Sequence, residues 1–408
     1  MSTLTLHTLQ ASPIPTANKT KRLESIDLLR GIVMIIMALD HTRDYFHDDA
    51  FLYSPTDLSH TSVFLFFTRW ITHFCAPVFV FLAGISAYLY GTKRTRKELS
   101  FFLFTRGLFL VFLELFVLSL ERTFNPAYPF LNLQVIFAIG VSMMVLSAMV
   151  YMKKQFILAI GLLIVFGHNL LDNVHVPGKG LSSFGWALIH DRGDFIFGPF
   201  IVSVHYSVLA WIGIMSVGYG LGSLYAPAYD QKKRKKMLLS LGWGAIVLFI
   251  VLRAINWYGD PAPWSGQKNI IFSILSFLNV SKYPPSLLYI LIMLGPALIF
   301  LALTEKPLNA WTEKITLFGR VAMFYYLAHI LLIHTLALFG AVVSGHNWSA
   351  MILTSRVYDE PGLKGYGFNL FIVYIVWIGV VLILYPFCKW FDKYKRANLY
   401  RYRWLSYL

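Results

Sequence analysis

Charge is what this sequence has least of. Only 13% of its 408 residues are Asp, Glu, Lys or Arg, about half the share of an ordinary soluble domain. That is too little to clothe two or three soluble domains, the number otherwise expected at this length. Carboxylates are the scarcer sign, 20 against 35 Lys and Arg, for a net charge of +15. Cysteine is limited to Cys75 and Cys388, both in apolar stretches and far apart. That excludes a disulfide framework and any cysteine zinc spacing, and the two read as buried apolar thiols. The twelve histidines are scattered, with no helical pair flanked by carboxylates, so no metal site is expected. Residues 1–20 lack an apolar core and are not a signal peptide. They read as a disordered cytoplasmic tail, which leaves targeting to the first apolar segment.

What is abundant is apolar. Hydrophobic residues make up 57% and aromatics 17%, and the mean hydropathy is +0.61. They fall in blocks at about 26–46, 63–90, 101–120, 131–151, 156–171, 199–225, 238–257, 286–304, 317–343 and 369–391. At ~1.5 Å per residue such blocks are long enough for a hydrocarbon core of ~30 Å, with 156–171 marginal. Trp and Tyr gather at their ends, as at membrane interfaces. The expected fold is an all-α polytopic membrane protein with about ten transmembrane helices in one bundle. Ile270 to Val280 is too short to span and reads as a re-entrant or interfacial helix before the Pro284-Pro285 turn.

Basic residues cluster at Lys19–Arg22, Lys93–Lys97, Lys153-Lys154, Lys232–Lys236, Lys306 with Lys314, and Lys389 to Arg403. If ten spans alternate, all of these lie on one side. The positive-inside rule makes that side cytoplasmic and places both termini there. Confined to such loops, the positive charge does not suggest a nucleic-acid partner. The domain division is a tail over 1–20, a membrane domain over 21–391 and a basic cytoplasmic tail over 392–408. No internal repeat is visible. The opposite side carries longer polar loops, of which 172–198 and 344–368 are long enough to cover a site.

Ionisable residues inside spans are costly, on the order of 2.5–3.5 kcal/mol on insertion scales, and usually have a partner or a task. The first span holds Asp27, Arg30, Asp40, His41, Arg43 and Asp44. Arg30 and His41 are about three helical turns apart on one face, ~16 Å along the axis. Asp44 follows His41 at i+3, where it would orient the imidazole. The second span carries Arg69 and His73 at i+4, just before Pro77, which frees a carbonyl about one turn earlier. Arg106 and Glu114 lie in the third, and Arg320, Tyr326, His329 and His334 in the ninth. Lys282 precedes the Pro284-Pro285 break near the outer half. Each residue also has a plainer reading, as a snorkelling cation or an internally satisfied histidine. Arginines towards the cytoplasm and histidines towards the outside would suit a phosphate-bearing ligand and a proton transfer, respectively.

Leu23-Glu24-Ser25-Ile26-Asp27-Leu28-Leu29-Arg30-Gly31-Ile32, followed by His41, resembles the first helix of the acyltransferase-3 superfamily of membrane acyltransferases. Phe79-Val80-Phe81-Leu82-Ala83-Gly84 resembles the second-helix signature of the related heparan-alpha-glucosaminide N-acetyltransferase catalytic family. Gly319-Arg320 and Tyr326-Leu327-Ala328-His329 are similar to the superfamily's late helix, so the likeness runs from about residue 22 to 391. The resemblance implies an acyltransferase that takes an acyl group, acetyl in the simplest case, from cytoplasmic acyl-CoA and passes it to a saccharide or amine acceptor at the outer face. It implies Arg30 and His41 as the functional pair, Arg106 as a donor contact and Tyr326 with His329 as the late motif; together with the residues read from spacing, the candidate catalytic residues are His41, Asp44, His73 and His329 and the candidate donor-binding residues Arg30, Arg106, Arg320 and Lys282. The heparan enzyme's own histidine lies in or near the first outer loop, which keeps His47 and His60 beside His41 as alternatives. The expected partners are the lipid bilayer, acetyl-CoA or another acyl-CoA, the acceptor and, as one option, a second copy of the chain in a homodimer. A bacterial-type plasma membrane is the expected location. A transporter or flippase for an anionic lipid or sugar is the alternative.

Overall fold

The computed structural model describes residues 24–399 and 401–406, so the tail assigned to 1–20 lies outside the described residues. In chain order the helices are α1 (Glu24–Phe46), α2 (Val63–Thr72), α3 (Cys75–Gly91), α4 (Arg96–Phe112), α5 (Ser119–Thr123), α6 (Val135–Met149), α7 (Lys154–Gly167) and α8 (Leu181–Ile189). They continue with α9 (Val208–Leu221), α10 (Gln231–Ile255), α11 (Ile270–Leu278), α12 (Leu287–Leu303), α13 (Ala310–Arg320), α14 (Ala322–Val343) and α15 (Leu370–Asn398).

Seven helical stretches among the described residues are long and apolar enough to cross a bilayer: Val63–Gly91, Arg96–Thr123, Lys154–Leu171, Val208–Tyr225, Gln231–Ile255, Ala322–Val343 and Leu370–Asn398. The chain is therefore a multi-pass membrane protein. α6 and α12 are shorter apolar helices. α1 is 23 residues long but carries Glu24, Asp27, Arg30, Asp40, Arg43 and Asp44. α15 runs beyond residue 391, into the segment read from sequence as a tail.

The all-α expectation needs one correction. Three short strands, β1 (Phe130–Leu133), β2 (Gly193–Phe197) and β3 (Phe200–Val204), form a sheet in the order β1-β3-β2. β1 runs parallel to β3, and β2 pairs with it antiparallel. Blocks 131–151 and 199–225 thus begin as strands, where Phe200, Ile201, Val202 and Val204 supply the aromatic and β-branched side chains that suit a pleated, half-buried surface. The β2–β3 hairpin turns on Gly198 at φ +59° followed by Pro199, the order a type II′ turn accepts. The sheet is amphipathic. Leu133, Phe195 and Val204 bury one face with Ala187 of α8, whereas Asp194, Ser203 and Asn132 align in register on the other.

α1 is the central helix, with most of its length buried. It meets α13 at paired glycines: a Cβ on Gly31 would stand 2.1 Å from the Ile315 carbonyl oxygen, and one on Gly319 would stand 2.0 Å from that of Asp27. Such close backbone approach is how membrane helices pack tightly without a hydrophobic driving force. The second apolar block bends at His73-Phe74, between α2 and α3. Pro77 has no N–H to give the His73 carbonyl, and the Tyr289 hydroxyl donates to that oxygen instead, at 2.8 Å. The break after α11 is braced by Asp260, which accepts from the Ser281 N–H (2.8 Å), the Ser281 hydroxyl (2.8 Å) and the Ser286 hydroxyl (2.7 Å).

Candidate active site in the bundle

A cavity of about 1430 Å³ runs along α1 from Arg30 to Asp44. One end is lined by Arg94, Glu98, Arg106, Arg320 and Lys395, and the other by Asn132, Gln134, His205, Lys282, Tyr283 and Arg356. These are called here the basic end and the sheet end. Between them the wall is largely apolar, with Met34, Met37, Phe79, Ala83, Leu110, Ile139 and Met143.

At the basic end, Arg30 joins three helices. It donates to Asp27 (3.1 Å) on its own helix and to the Ser86 hydroxyl (3.2 Å) on α3, and lies 3.5 Å from the Gly319 carbonyl oxygen at the end of α13. The glycine crossing brings Arg320 beside it, and Arg320 pairs with Asp392 of α15 at 3.2 Å. Tyr90 and Phe102 stack with centroids 3.9 Å apart, and the Arg94 guanidinium caps Tyr90 at 4.2 Å. The Arg106 guanidinium lies 5.8 Å from the centre of the Phe102 ring. Arg30, Arg106 and Arg320, three residues expected to hold a donor, therefore share one end of the cavity.

Lys282 does not join them. It is buried at the sheet end, with its ammonium 5.2 Å from the Tyr283 ring. The Pro284-Pro285 break that carries it packs against α2, where Arg69 comes within 3.5 Å of the Tyr283 hydroxyl. This corrects the expectation that Lys282 acts with the donor-binding arginines.

His41 lines the middle of the cavity, and its ring makes no hydrogen bond among the described residues. The carboxylates expected to orient it are engaged elsewhere. Asp40 accepts from Arg69 at 2.6 Å through both oxygens and from the Thr72 hydroxyl at 2.9 Å, and pairs with Arg43 at 3.0 Å. Asp44 pairs with Arg43. The reason is charge matching: two buried guanidiniums on neighbouring helices claim the two carboxylates first. Asp44 still faces the cavity but does not hold the imidazole.

The ring neighbours of His41 come instead from α14. His329 stands 5.2 Å away between centroids, and Tyr326 6.2 Å away, edge-on. His329 does not line the cavity. It is fully buried behind His41, with Nδ1 on the Tyr325 carbonyl at 2.8 Å and Nε2 without a partner. His73 is also off the cavity wall. It sits at the helix break, with Nδ1 unpaired and its ring edge-on to Tyr289 at 5.7 Å. Both therefore differ from the expectation that they touch substrate. His334 stacks on Phe124 and bonds the Glu121 and Met351 carbonyls.

Sequence reasoning missed Arg122. It lines the cavity, pairs with the fully buried Glu114, and donates to the Tyr326 hydroxyl at 2.9 Å. The π turn Leu113–Leu118 starts at this glutamate's level, and a local π turn often marks a functional site. The second Glu114 oxygen accepts from the Phe137 N–H at 3.1 Å. Because Arg122 occupies a lone pair of Tyr326, that hydroxyl keeps its proton to donate into the cavity.

His47 and His60, the alternatives to His41, lie off the cavity wall. His60 is exposed and paired with Asp57 at 2.9 Å. The ligand atoms of His47, Asp48 and Asp49 lie within 4.8 Å of one another. This is a cluster the sequence reading did not pick out, but His47 Nδ1 already accepts from the Asp49 N–H at 3.2 Å. Loop 344–368 covers the sheet end through Leu353, Ser355, Arg356, Val357 and Tyr358. Loop 172–198 supports it through Asp194, which accepts from Arg356 at 2.6 Å.

Fold and site together define a multi-pass membrane protein whose cavity reaches a histidine in the middle of its bundle, with guanidiniums at one end and a polar sheet at the other. The chain belongs to the family described as heparan-alpha-glucosaminide N-acetyltransferase, catalytic, whose model matches residues 22–258, more than half of its length. That makes it a membrane transferase. The match covers α1 to α10 and so includes Arg30, His41, Arg106 and Arg122, whereas Lys282, Arg320, Tyr326 and Arg356 lie beyond it. A search of curated proteins gave no match.

Proposed function

We propose that the protein moves an acyl group, acetyl in the simplest case, from acyl-CoA entering at the basic end to an amine or hydroxyl acceptor entering at the sheet end. The observation that carries this reading is a single cavity joining an arginine cluster to His41. Arg30, Arg106 and Arg320 suit the donor's phosphates, since guanidinium matches phosphate in bidentate fashion. The Tyr90 stack suits its adenine. The apolar sleeve around Met34, Met37 and Phe79 suits the pantetheine arm. Extended, that arm spans about 14 Å from diphosphate to sulfur at the reach of an extended chain, close to the ~16 Å between Arg30 and His41 along α1.

In the mechanism, the acceptor's nitrogen or oxygen attacks the thioester carbon while His41 takes its proton. The carbonyl oxygen becomes an oxyanion and accepts from the Tyr326 hydroxyl, held by Arg122. The carbon–sulfur bond then breaks, and His41 returns the proton to the leaving thiolate. An acyl-histidine route is equally compatible: His41 takes the acyl group while the thiolate leaves with the imidazole's own ring proton, and the acceptor then displaces the imidazole, which takes the acceptor's proton, with Tyr326 donating to the oxyanion in both steps. The wider reading has about ten transmembrane helices with the basic end and both termini on the cytoplasmic side of a plasma membrane, within the acyltransferase-3 superfamily.

Calorimetry with acetyl-CoA on the purified protein tests this. Micromolar binding that weakens when fragments lacking the phosphates and adenine, such as pantetheine, replace the donor supports it. A folded protein that does not bind acetyl-CoA would falsify it. The continuous cavity also favours a second reading, a transporter of an anionic sugar or lipid, which predicts vesicle flux with no acyl-CoA consumed.

A further inference from the structure

Away from the large cavity, a second glycine crossing builds a small basic recess. α10 and α12 meet where a Cβ on Gly242 would stand 2.8 Å from the Gly295 carbonyl oxygen, and one on Gly295 would stand 3.1 Å from that of Gly242. Such close approach fixes how two membrane helices sit. It sets the first turns of α10 beside the chain that leaves α12. Between them lies a recess of about 180 Å³, lined by Gln231, Lys232 and Lys235 on one side and by Ala302, Leu303, Glu305 and Lys306 on the other.

The carboxylates near this recess are used by the fold. Arg234 donates to both Glu305 carboxylate oxygens and, at 3.1 Å, to the Leu224 carbonyl. Gln231 donates to the Glu305 backbone carbonyl at 3.3 Å. Asp230 accepts from the Lys233 N–H at 2.9 Å and so caps α10. Lys232, Lys235 and Lys306, by contrast, are exposed and have no carboxylate partner among the described residues. Lys233 and Lys236 add two more exposed cations beside them.

The surface that continues from the lysines is apolar. Lys232 and Lys235 are neighbours at i and i+3 on α10. Trp243 and Ile250, eleven and eighteen residues after Lys232, fall on the same stripe of the helix and are exposed, as is Leu303 in the recess itself. α10 is long and apolar enough to cross a bilayer, and only 22% of its most apolar stretch is buried within the protein. Hydrocarbon therefore lies against it directly below the lysines. A ligand that matches both parts is anionic at one end and apolar at the other. Lysines grouped at the end of a spanning helix attract anionic headgroups for this reason.

We infer that the recess between α10 and α12 seats the headgroup of an anionic phospholipid, held by Lys232, Lys235 and Lys306, with its acyl chains along Leu303 and Trp243. The inference goes beyond the transferase reading and does not depend on it.

The test is native mass spectrometry on the purified full-length protein, titrated in detergent with phosphatidylglycerol. Phosphatidylcholine with the same chains is the zwitterionic probe, and glycerol 3-phosphate and inorganic phosphate are the anions without chains. Phosphatidylglycerol is expected to stay bound. Lys306→Gln should weaken it about fivefold, and Lys232→Gln/Lys235→Gln/Lys306→Gln roughly a hundredfold. Lys153→Gln/Lys154→Gln, which removes as much charge from another basic loop as two of these changes, should leave it within about twofold. The single variant serves should the triple one not fold. Unchanged binding in the folded variants overturns the inference, as does an equal loss in the Lys153/Lys154 variant. So does binding of phosphatidylcholine, glycerol 3-phosphate or inorganic phosphate as tight as that of phosphatidylglycerol. Acetyl-CoA calorimetry on the same samples keeps the claims apart. Lipid binding without acetyl-CoA binding removes the acyltransferase reading alone, and the reverse removes the lipid site alone.

Discussion

The two ends of the cavity use similar residues to opposite effect. At the basic end Arg30, Arg94, Arg106, Arg320 and Lys395 face the carboxylates of Asp27, Glu98 and Asp392. At the sheet end Arg43, Arg69, Lys282 and Arg356 face Asp40, Asp44, Asp194 and Asp359. Among the described residues, the first end lines the cavity with more cations than carboxylates. The second balances its ions against one another. Buried ion pairs are worth little as net stability because desolvation offsets their attraction. Their use here is to hold backbone and rings in place, as Arg69 and Asp40 tie α2 to α1 beside the helix break. A guanidinium count alone would not tell these ends apart; the carboxylates around each one do.

The comparison can be broken most directly at the group between the ends. His41→Ala is expected to lower acetyl transfer by about 10³-fold, within the range of general acid–base catalysis, while acetyl-CoA affinity stays within a factor of about three. Loss of donor binding instead would move His41 from chemistry to recognition. Tyr326→Phe should lower kcat by roughly 100-fold, as for removal of an oxyanion donor, with little change in either KM. Wild-type kcat would remove Tyr326 from the mechanism.

Glu114→Ala strands the buried Arg122 charge and should destabilise the protein by about 3–5 kcal/mol, read as a fall in the detergent-solubilised Tm. The double variant Glu114→Ala/Arg122→Met should recover much of that loss, and failure to do so would deny that the pair is coupled. Arg106→Gln and Arg320→Gln should each weaken acetyl-CoA binding about tenfold, the worth of one charge-assisted phosphate contact. They should leave turnover of short thioesters that lack the CoA phosphates untouched, and an equal loss on both donors would mean that these arginines do not act through the phosphates.

The smallest effect concerns pH. Burial lowers the His205 pKa to about 4 from the ordinary 6.5, so between those values the unfolded chain binds the more protons. Stability supplied by neutral His205 is complete above about 6.5 and declines as the pH falls towards 4. His205→Asn should flatten the Tm in that interval and leave the curve above it parallel to wild type.

Much of the membrane architecture was legible because bilayer thickness acts on local sequence. Long apolar runs and confined basic loops are visible without any tertiary contact, as is the Pro77 break, whose freed carbonyl Tyr289 then takes. Arg30, Arg106 and Arg320 share an end because helical periodicity and loop charge already place them at similar depth. The sheet was not legible, since strands of four and five residues are hidden at the edges of much longer apolar blocks. Nor were the partners of His41. Spacing offers Asp44 at i+3, but Arg43 competes for that carboxylate, and only the packing of α14 against α1 brings in His329, Tyr326 and, through Tyr326, Arg122.

By itself the sequence determined that this chain spans a membrane several times, where its cations gather, and that one helix carries Arg30 and His41 on the same face. These follow from period and composition, which each segment expresses alone. The tertiary structure decided which ions pair, which histidines reach the cavity, that Lys282 belongs to the sheet end, and which polar groups stay unused. Those outcomes depend on competition among side chains brought together from distant segments, and such competition is settled only when the helices pack.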